Sequence, residues 1–115
     1  MGYEEIDSII DVWVKKYNFT LFTNYEGFPD VEFRAVYLSS AEGECCQISI
    51  DKPNLGKVAI VARDIETKMD EELNKSWLVE VSDLERALEN AVSFVQTWFS
   101  RSLTHHSSGT PNGAP

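Results

Sequence analysis

Few side chains in this sequence could do catalytic chemistry, and their positions limit what that chemistry could be. The histidines are His105 and His106, which lie next to each other in a C-terminal run of Ser, Thr, Gly, Asn and Pro. A general base must be held in place very accurately, and a tail of this composition cannot do that. Two histidines also fall short of the three or four converging ligands that a metal needs. The sequence therefore predicts neither histidine-dependent catalysis nor a bound metal.

The cysteines, Cys45 and Cys46, are neighbours. Adjacent side chains on a strand point to opposite faces, so a disulfide between them would distort the backbone. A reactive thiolate needs positive charge nearby, whereas Glu42 and Glu44 are acidic. Two reduced thiols predict a cytoplasmic protein without a catalytic cysteine. No glycine-rich loop opens a helix, so no nucleotide or other cofactor is expected.

Carboxylates are the abundant chemical group, with 19 Asp and Glu against 10 Lys and Arg and a net charge of -9. A chain this acidic is repelled by the phosphates of nucleic acids and by anionic membranes. Its apolar runs are also far shorter than the roughly 20 residues that span a bilayer. Net charge of this size also keeps a small protein soluble, so the acidity alone does not require a partner. The alternative interpretation is a protein partner, and the charge then favours a basic one.

The densest acidic segment joins two predicted strands and is followed by a tryptophan. Its residues do not follow the calcium-loop pattern, which needs a central glycine and a final glutamate at fixed spacing. Paired carboxylates can cleave glycosidic bonds when a fold brings them together, so a carboxylate-based enzyme is an alternative. We interpret the segment instead as an exposed connection and a candidate partner-binding surface. The candidate residues are Asp64, Glu66, Asp70, Glu71, Glu72 and Trp77.

Hydrophobic spacing predicts a helix near each end of the chain. Apolar residues recur at helical intervals from Ile6 to Tyr17, which predicts a helix over residues 4–17. A capping box, Ser82-Asp83-Leu84-Glu85, begins a second apolar stripe that continues to about Arg101. From Ser102 onward the composition is polar, so residues 102–115 are predicted to be a disordered tail.

Alternating or β-rich segments lie between the two helices. They cover residues 18–24, 31–38, 45–50, 58–63 and 77–81, and residues 51–56 form the turn of the clearest hairpin. This order predicts one α+β domain over residues 1–101. Its expected architecture is an antiparallel meander of four to five strands, with the N-terminal and C-terminal helices packed on one face.

The turn Asp51-Lys52-Pro53-Asn54-Leu55-Gly56, the later Trp77 and a final helix with Trp98 near its end carry a family resemblance. Over roughly residues 6–99 the chain resembles small immunity proteins of bacterial polymorphic toxin systems. Some of those families have an Asp-Asn-Pro-Gly-Trp-like turn between two strands, although Leu55-Gly56 stands here where Gly-Trp would be expected. The resemblance implies a stable acidic domain that covers a basic toxin surface.

Together, these observations predict a non-catalytic, acidic protein-binding module, with an immunity-type inhibitor of a basic toxin as its specific form. A secretion-type chaperone that binds an extended effector segment is the main alternative. A chaperone of that kind is expected to dimerise, whereas an immunity-type inhibitor can be a monomer. The sequence leaves the oligomeric state open.

Overall fold

The computed structural model describes residues 2–25, 28–65 and 74–108, with side chains described for 2–23, 32–65 and 74–100. The α+β fold is confirmed, with five strands between an N-terminal and a C-terminal helix. In chain order the elements are a 3-10 turn Tyr3–Glu5, α1 Asp7–Tyr17, β1 Phe22–Tyr25, β2 Phe28–Ser39, β3 Cys45–Ile50, β4 Lys57–Asp64, β5 Asn74–Glu80, a 3-10 turn Val81–Asp83 and α2 Leu84–Ser108.

The sheet is an antiparallel meander in the order β1-β2-β3-β4-β5. The pairing of β4 with β5 runs in one register from Lys57 opposite Glu80 to Arg63 opposite Asn74. The pairing of β1 with β2 is irregular, because the register shifts on both sides of Asn24. The two edges of the sheet therefore differ: β1 is short and irregular, whereas β5 is longer and regular.

Alternate residues of the strands form one side of the hydrophobic core, and both helices contribute side chains to the same buried cluster. We call the side of the sheet with these residues the inner face. Its strand residues are Val36, Leu38, Cys46, Ile48, Ile50, Val58, Ile60 and Ala62. The helix residues that join them are Ile6, Ile10, Trp13, Leu84, Ala87, Leu88, Ala91, Val92, Val95 and Trp98. Burying this much apolar surface is the main term that stabilises the fold.

Helix α1 begins later than the sequence predicted, because residues 3–5 wind as a 3-10 turn. The helix ends at Tyr17, and the next residue, Asn18, caps it in the left-handed conformation with φ of 59°. Asn18 donates its backbone N–H to the Lys15 carbonyl oxygen at 3.3 Å. Asparagine tolerates this backbone geometry better than most residues, which explains why the helix stops there.

Helix α2 is longer than predicted and begins differently. The expected capping box at Ser82 is replaced by the 3-10 turn Val81–Asp83, which leads directly into Leu84. The helix continues past Arg101 to Ser108, since no glycine or proline interrupts the chain before Gly109. Residues 109–115 lie outside the described residues, so a disordered tail stays a prediction there.

A buried arginine joins α1 to the sheet. Arg34 on β2 donates from Nε to Asp7 Oδ1 at 2.9 Å and from Nη2 to Asp7 Oδ2 at 3.2 Å. Its guanidinium also lies 4.1 Å from the ring centroid of Tyr3 and 3.3 Å from Glu32 Oε1. The Tyr3 hydroxyl in turn donates to the Ile50 carbonyl oxygen at 2.9 Å. This network holds the start of α1 against β2 and β3.

Across the ranges described above, no helix is both long enough and apolar enough to cross a membrane.

Candidate functional site

The face of the sheet opposite the core is the main feature that the packing leaves available. We call it the outer face. Strand pairing aligns Ala35, Ser49, Val61 and Ser76 in one row across β2 to β5, and Phe22 of β1 lies opposite Ala35. A second row contains Tyr37, Gln47, Arg63 and Asn74. Ala59 and Leu78 lie opposite each other beyond the first row.

Large apolar side chains on the outer face remain exposed. Phe22 is 43% exposed, Tyr37 is 40% exposed and Leu78 is 68% exposed. The rings of Phe22 and Tyr37 pack edge to face with their centroids 5.1 Å apart. The small residue Ala35 beneath them is fully buried, yet it lies outside the main core cluster. The aromatic pair thus forms a raised apolar platform at one end of the face, and Leu78 lies towards the other.

The charge of the outer face differs from that of the whole chain. Lys57 and Arg63 of β4 lie on this side, and Glu80 of β5 is opposite Lys57 in the register. Asp51, just after β3, pairs with Ala59 through its backbone N–H. Among the residues whose side chains the structure describes, the face therefore carries two bases and two acids, in a chain whose net charge is -9. Its central row, Ala35, Ser49, Val61 and Ser76, carries no charge, and depletion of charge at the centre is usual in a protein–protein contact.

Of the residues that the sequence singled out, the structure describes Asp64 and Trp77. Trp77 is half-buried on the inner side of β5, where its ring packs edge to face on Phe94 of α2 with centroids 5.8 Å apart. Asp64 ends β4, half-buried and opposite Cys46 in the register. The other four, Glu66, Asp70, Glu71 and Glu72, lie outside the described residues.

The β3–β4 connection carries an apolar residue that sequence reasoning did not single out. Asn54 and Lys57 exchange backbone hydrogen bonds of 2.8 and 3.1 Å around a tight turn, Leu55-Gly56. Both turn residues have positive φ, 55° for Leu55 and 79° for Gly56. Such turns favour Asn-Gly, because a side chain like that of leucine is strained in this conformation. Leu55 is nevertheless 95% exposed, and together with Leu78 it lines a depression of about 400 Å³.

A smaller cavity, of about 300 Å³, lies between the two helices. Its apolar lining includes Ile9 and Trp13, and Glu89 contributes a carboxylate. That carboxylate accepts hydrogen bonds from Lys16 Nζ at 2.9 Å and from the Tyr17 hydroxyl. The Tyr17 and Lys16 donors lower the pKa of Glu89. A carboxylate held in this way suits an ion pair between helices and is poorly suited to accept or release a proton near neutral pH.

The two thiols occupy different environments, as their neighbouring positions on a strand require. Cys46 is fully buried in the core, and Cys45 is half-buried on the outer side of β3. Burial, with a further contribution from the Asp64 charge, raises the pKa of Cys46 to about 12. Cys46 therefore stays a thiol at neutral pH and serves as a small apolar core residue.

Within residues 2–25, 28–65 and 74–108, no three His, Cys, Asp or Glu side chains come together in a way that could hold a metal ion. Comparison of the chain with protein-family models, with curated proteins and with solved structures found no match.

Proposed function

We propose that this protein is a non-catalytic protein-binding module and that the outer face is its contact surface. One observation carries the proposal: on the side of the sheet opposite the core, the Phe22–Tyr37 pair is exposed towards one end and Leu78 is exposed towards the other. Exposed apolar side chains scattered singly need no explanation, but several on one sheet face indicate an interaction surface. Aromatic residues such as the Phe22–Tyr37 pair are enriched where proteins bind one another.

In this proposal the net charge acts before the proteins touch, and the apolar side chains act once they are in contact. At long range, the net charge of -9 attracts a basic partner and raises the rate of encounter. At contact, the nearly neutral outer face supplies apolar burial, at roughly 25 cal/mol per Å² of apolar surface removed from water. We therefore expect the association rate to fall steeply with added salt, while the dissociation rate depends mainly on the apolar contacts.

A specific form of this function is an immunity-type inhibitor that covers a basic toxin in the cytoplasm. It rests on the sequence resemblance and on the acidity of the chain. The two described cysteines are free, which suits a reducing compartment. Among the described residues, Glu4 and Glu89 are the carboxylates whose pKa values shift, and both shift downward, which supports stable anions at neutral pH.

The test begins with affinity capture from a lysate of the native host, followed by purification of the captured protein and calorimetric titration. Tyr37→Glu and Leu78→Glu should each weaken binding by roughly tenfold or more, because each would bury a charge in the contact. The matched control is Val12→Glu, since Val12 is 65% exposed on α1, away from the outer face. The proposal fails if all three variants bind like the wild type or if Val12→Glu alone weakens binding.

The captured partner also separates the proposed function from its alternatives. A folded basic protein bound through the outer face supports the inhibitor. A partner that binds only through an extended segment, such as a synthetic peptide of its sequence, indicates the chaperone. Turnover of a glycoside by the purified wild type would instead indicate the carboxylate-based enzyme.

A further inference from the structure

Within the part of the chain that the structure describes, the β5 edge of the sheet is open to pairing. It is seven residues long and keeps one register along its whole pairing with β4. None of the other described strands pairs with its outer side. The opposite edge, β1, is four residues long and interrupted by register shifts, which are features that protect an edge from pairing. The strand β5 lacks both of these features.

The phase of the ladder shows which backbone groups of β5 face outward. Val81 donates its N–H to the Gly56 carbonyl oxygen at 3.2 Å, so this pair is a hydrogen-bonded pair of the β4–β5 ladder. Hydrogen-bonded and non-hydrogen-bonded pairs alternate along an antiparallel ladder. The residues whose N–H and C=O groups point away from β4 are therefore Asn74, Ser76, Leu78 and Glu80.

The β3–β4 ladder gives the same phase independently. Asp51 donates to the Ala59 carbonyl oxygen at 2.9 Å, and Ile65 donates to the Cys45 carbonyl oxygen at 3.1 Å. By alternation, the backbone groups of Val61 point towards β3. Val61 lies opposite Ser76, so the backbone groups of Ser76 must point to the free edge.

The side chains of β5 do not block this edge. A lysine on an edge strand often prevents pairing with another strand. The Lys75 Nζ, however, lies 5.9 Å from the ring centroid of Trp77 and 5.6 Å from that of Phe94. Its charge is therefore directed towards the inner face. The strand contains no proline, which would remove an outward donor.

We propose that two copies of this chain pair through their β5 strands, antiparallel and edge to edge, to form one continuous sheet. In the register centred on Trp77, Asn74 lies opposite Glu80 of the second copy and Ser76 lies opposite Leu78. All four outward-facing residues then exchange backbone hydrogen bonds. The two-fold axis is perpendicular to the sheet, so both helical layers lie on one side and both outer faces on the other.

The charge of the strand β5 itself, in contrast to that of the whole chain, argues for a second copy as the occupant of this edge. The strand β5 contains one lysine and one glutamate, so it is neutral within a chain of net charge -9. A strongly basic or strongly acidic segment would find no complementary charge along it. In the proposed register no like charges lie directly opposite each other, which is a requirement for favourable cross-strand pairs. The identical length of the two strands satisfies every outward group of both copies.

The test measures self-association of the full chain by sedimentation equilibrium over a wide range of concentration. The wild type should show a reversible dimer, strengthened when NaCl rises from about 50 to about 500 mM, because salt screens the repulsion between two acidic copies. Ser76→Pro removes an outward N–H from each copy without touching the β4–β5 ladder, and should weaken the dimer by roughly tenfold or more. Ser76→Ala retains the N–H and should dimerise like the wild type.

Two further variants keep the proposal falsifiable. Leu78→Pro removes a different outward N–H and replaces Ser76→Pro if circular dichroism shows that the latter does not fold. Tyr37→Glu lies on the outer face and should leave the dimer unchanged, so the self-association and the proposed function can fail separately. A wild type that stays monomeric at every concentration, or a dimer that survives both proline variants, overturns the proposal. So does a dimer that Tyr37→Glu disrupts, because it would be formed by the outer faces.

Discussion

Replacing Asp7 should lower the free energy of unfolding more than replacing Arg34, although the two side chains form one ion pair. The Arg34 side chain is 10% exposed, whereas that of Asp7 is 45% exposed. Asp7→Asn removes the negative charge nearest to a nearly buried guanidinium, which keeps an amide oxygen in place of the carboxylate, Glu32 at 3.3 Å, the Phe33 carbonyl oxygen at 3.0 Å and the Tyr3 ring. Arg34→Met instead leaves a carboxylate that water can reach. The loss of stability therefore depends on how deeply the remaining charged side chain is buried.

The expected magnitudes follow from the same geometry. Uncompensated charges left by breaking a buried pair cost about 3–5 kcal/mol, and we expect the lower end for Asp7→Asn because Glu32 remains. Arg34→Met loses charged hydrogen bonds, at about 1.5–3 kcal/mol, but the solvated Asp7 and the retained contact of an aliphatic stem with Tyr3 reduce the loss. We expect about 3 kcal/mol for Asp7→Asn and about 1.5 kcal/mol for Arg34→Met.

Urea unfolding monitored by tryptophan fluorescence measures both losses, provided that the slope m is the same in each variant. The double variant completes a thermodynamic cycle, and a coupling energy of about 1–2 kcal/mol between the two sites is expected. Asp11→Asn is the matched control. Asp11 lies on the same helix, 60% exposed and 3.6 Å from Lys15 Nζ, so its loss should cost less than about 0.5 kcal/mol.

The order of the two losses is the decisive result. If Arg34→Met destabilises the protein more than Asp7→Asn does, burial of the remaining group does not control the energetics. A coupling energy near zero would show that Arg34 and Asp7 act independently, and the role of this pair in joining α1 to β2 would have to be abandoned.

Three further predictions concern single residues. Leu55→Asn should stabilise the fold by about 1 kcal/mol in urea unfolding, because asparagine accepts the positive φ of 55° that strains leucine; an unchanged midpoint would contradict that strain. In the native protein Ellman's reagent should modify Cys45, while Cys46 should react only after unfolding; fast modification of both would show that Cys46 is accessible. The Glu89 pKa is lowered from 4.5 in the folded state, so the stability it contributes is present above pH 4.5 and is lost as the pH falls through its folded value. Glu89→Gln should remove this part of the acid dependence of stability, and an identical pH profile would refute its origin.

Much of the architecture was predictable because it depends on the periodic spacing of apolar residues that are close together in the sequence. The apolar spacing of Ile6 to Tyr17 identified the first helix, and the alternation in residues 45–50 and 58–63 identified the central hairpin. These patterns repeat over several turns or strand residues, so they are stronger than the preference of any single residue. The predicted ends of strands were less accurate where the residues have little preference for a strand. Asn74, Lys75 and Ser76 have weak strand preference, but pairing with β4 includes them in β5.

The proposed contact surface could be identified only from the tertiary structure. The second half of β2 is apolar on both sides, with Val36 and Leu38 on one and Ala35 and Tyr37 on the other. Alternation shows which residues share a face, but it does not say which face the helices cover. In the structure Val36 and Leu38 join the buried cluster to which both helices contribute, whereas Tyr37 is 40% exposed.

The sequence alone predicted an acidic α+β fold with short strands between two helices, but it placed His105 and His106 in a disordered tail, whereas the structure includes both in α2. Contacts between distant segments decided where particular side chains and backbone groups lie in the fold. Trp77, expected to help bind a partner, packs on Phe94, and the backbone donors of Ser76 face a free edge. Both depend on contacts between residues far apart in the chain, and local periodicity carries no information about them.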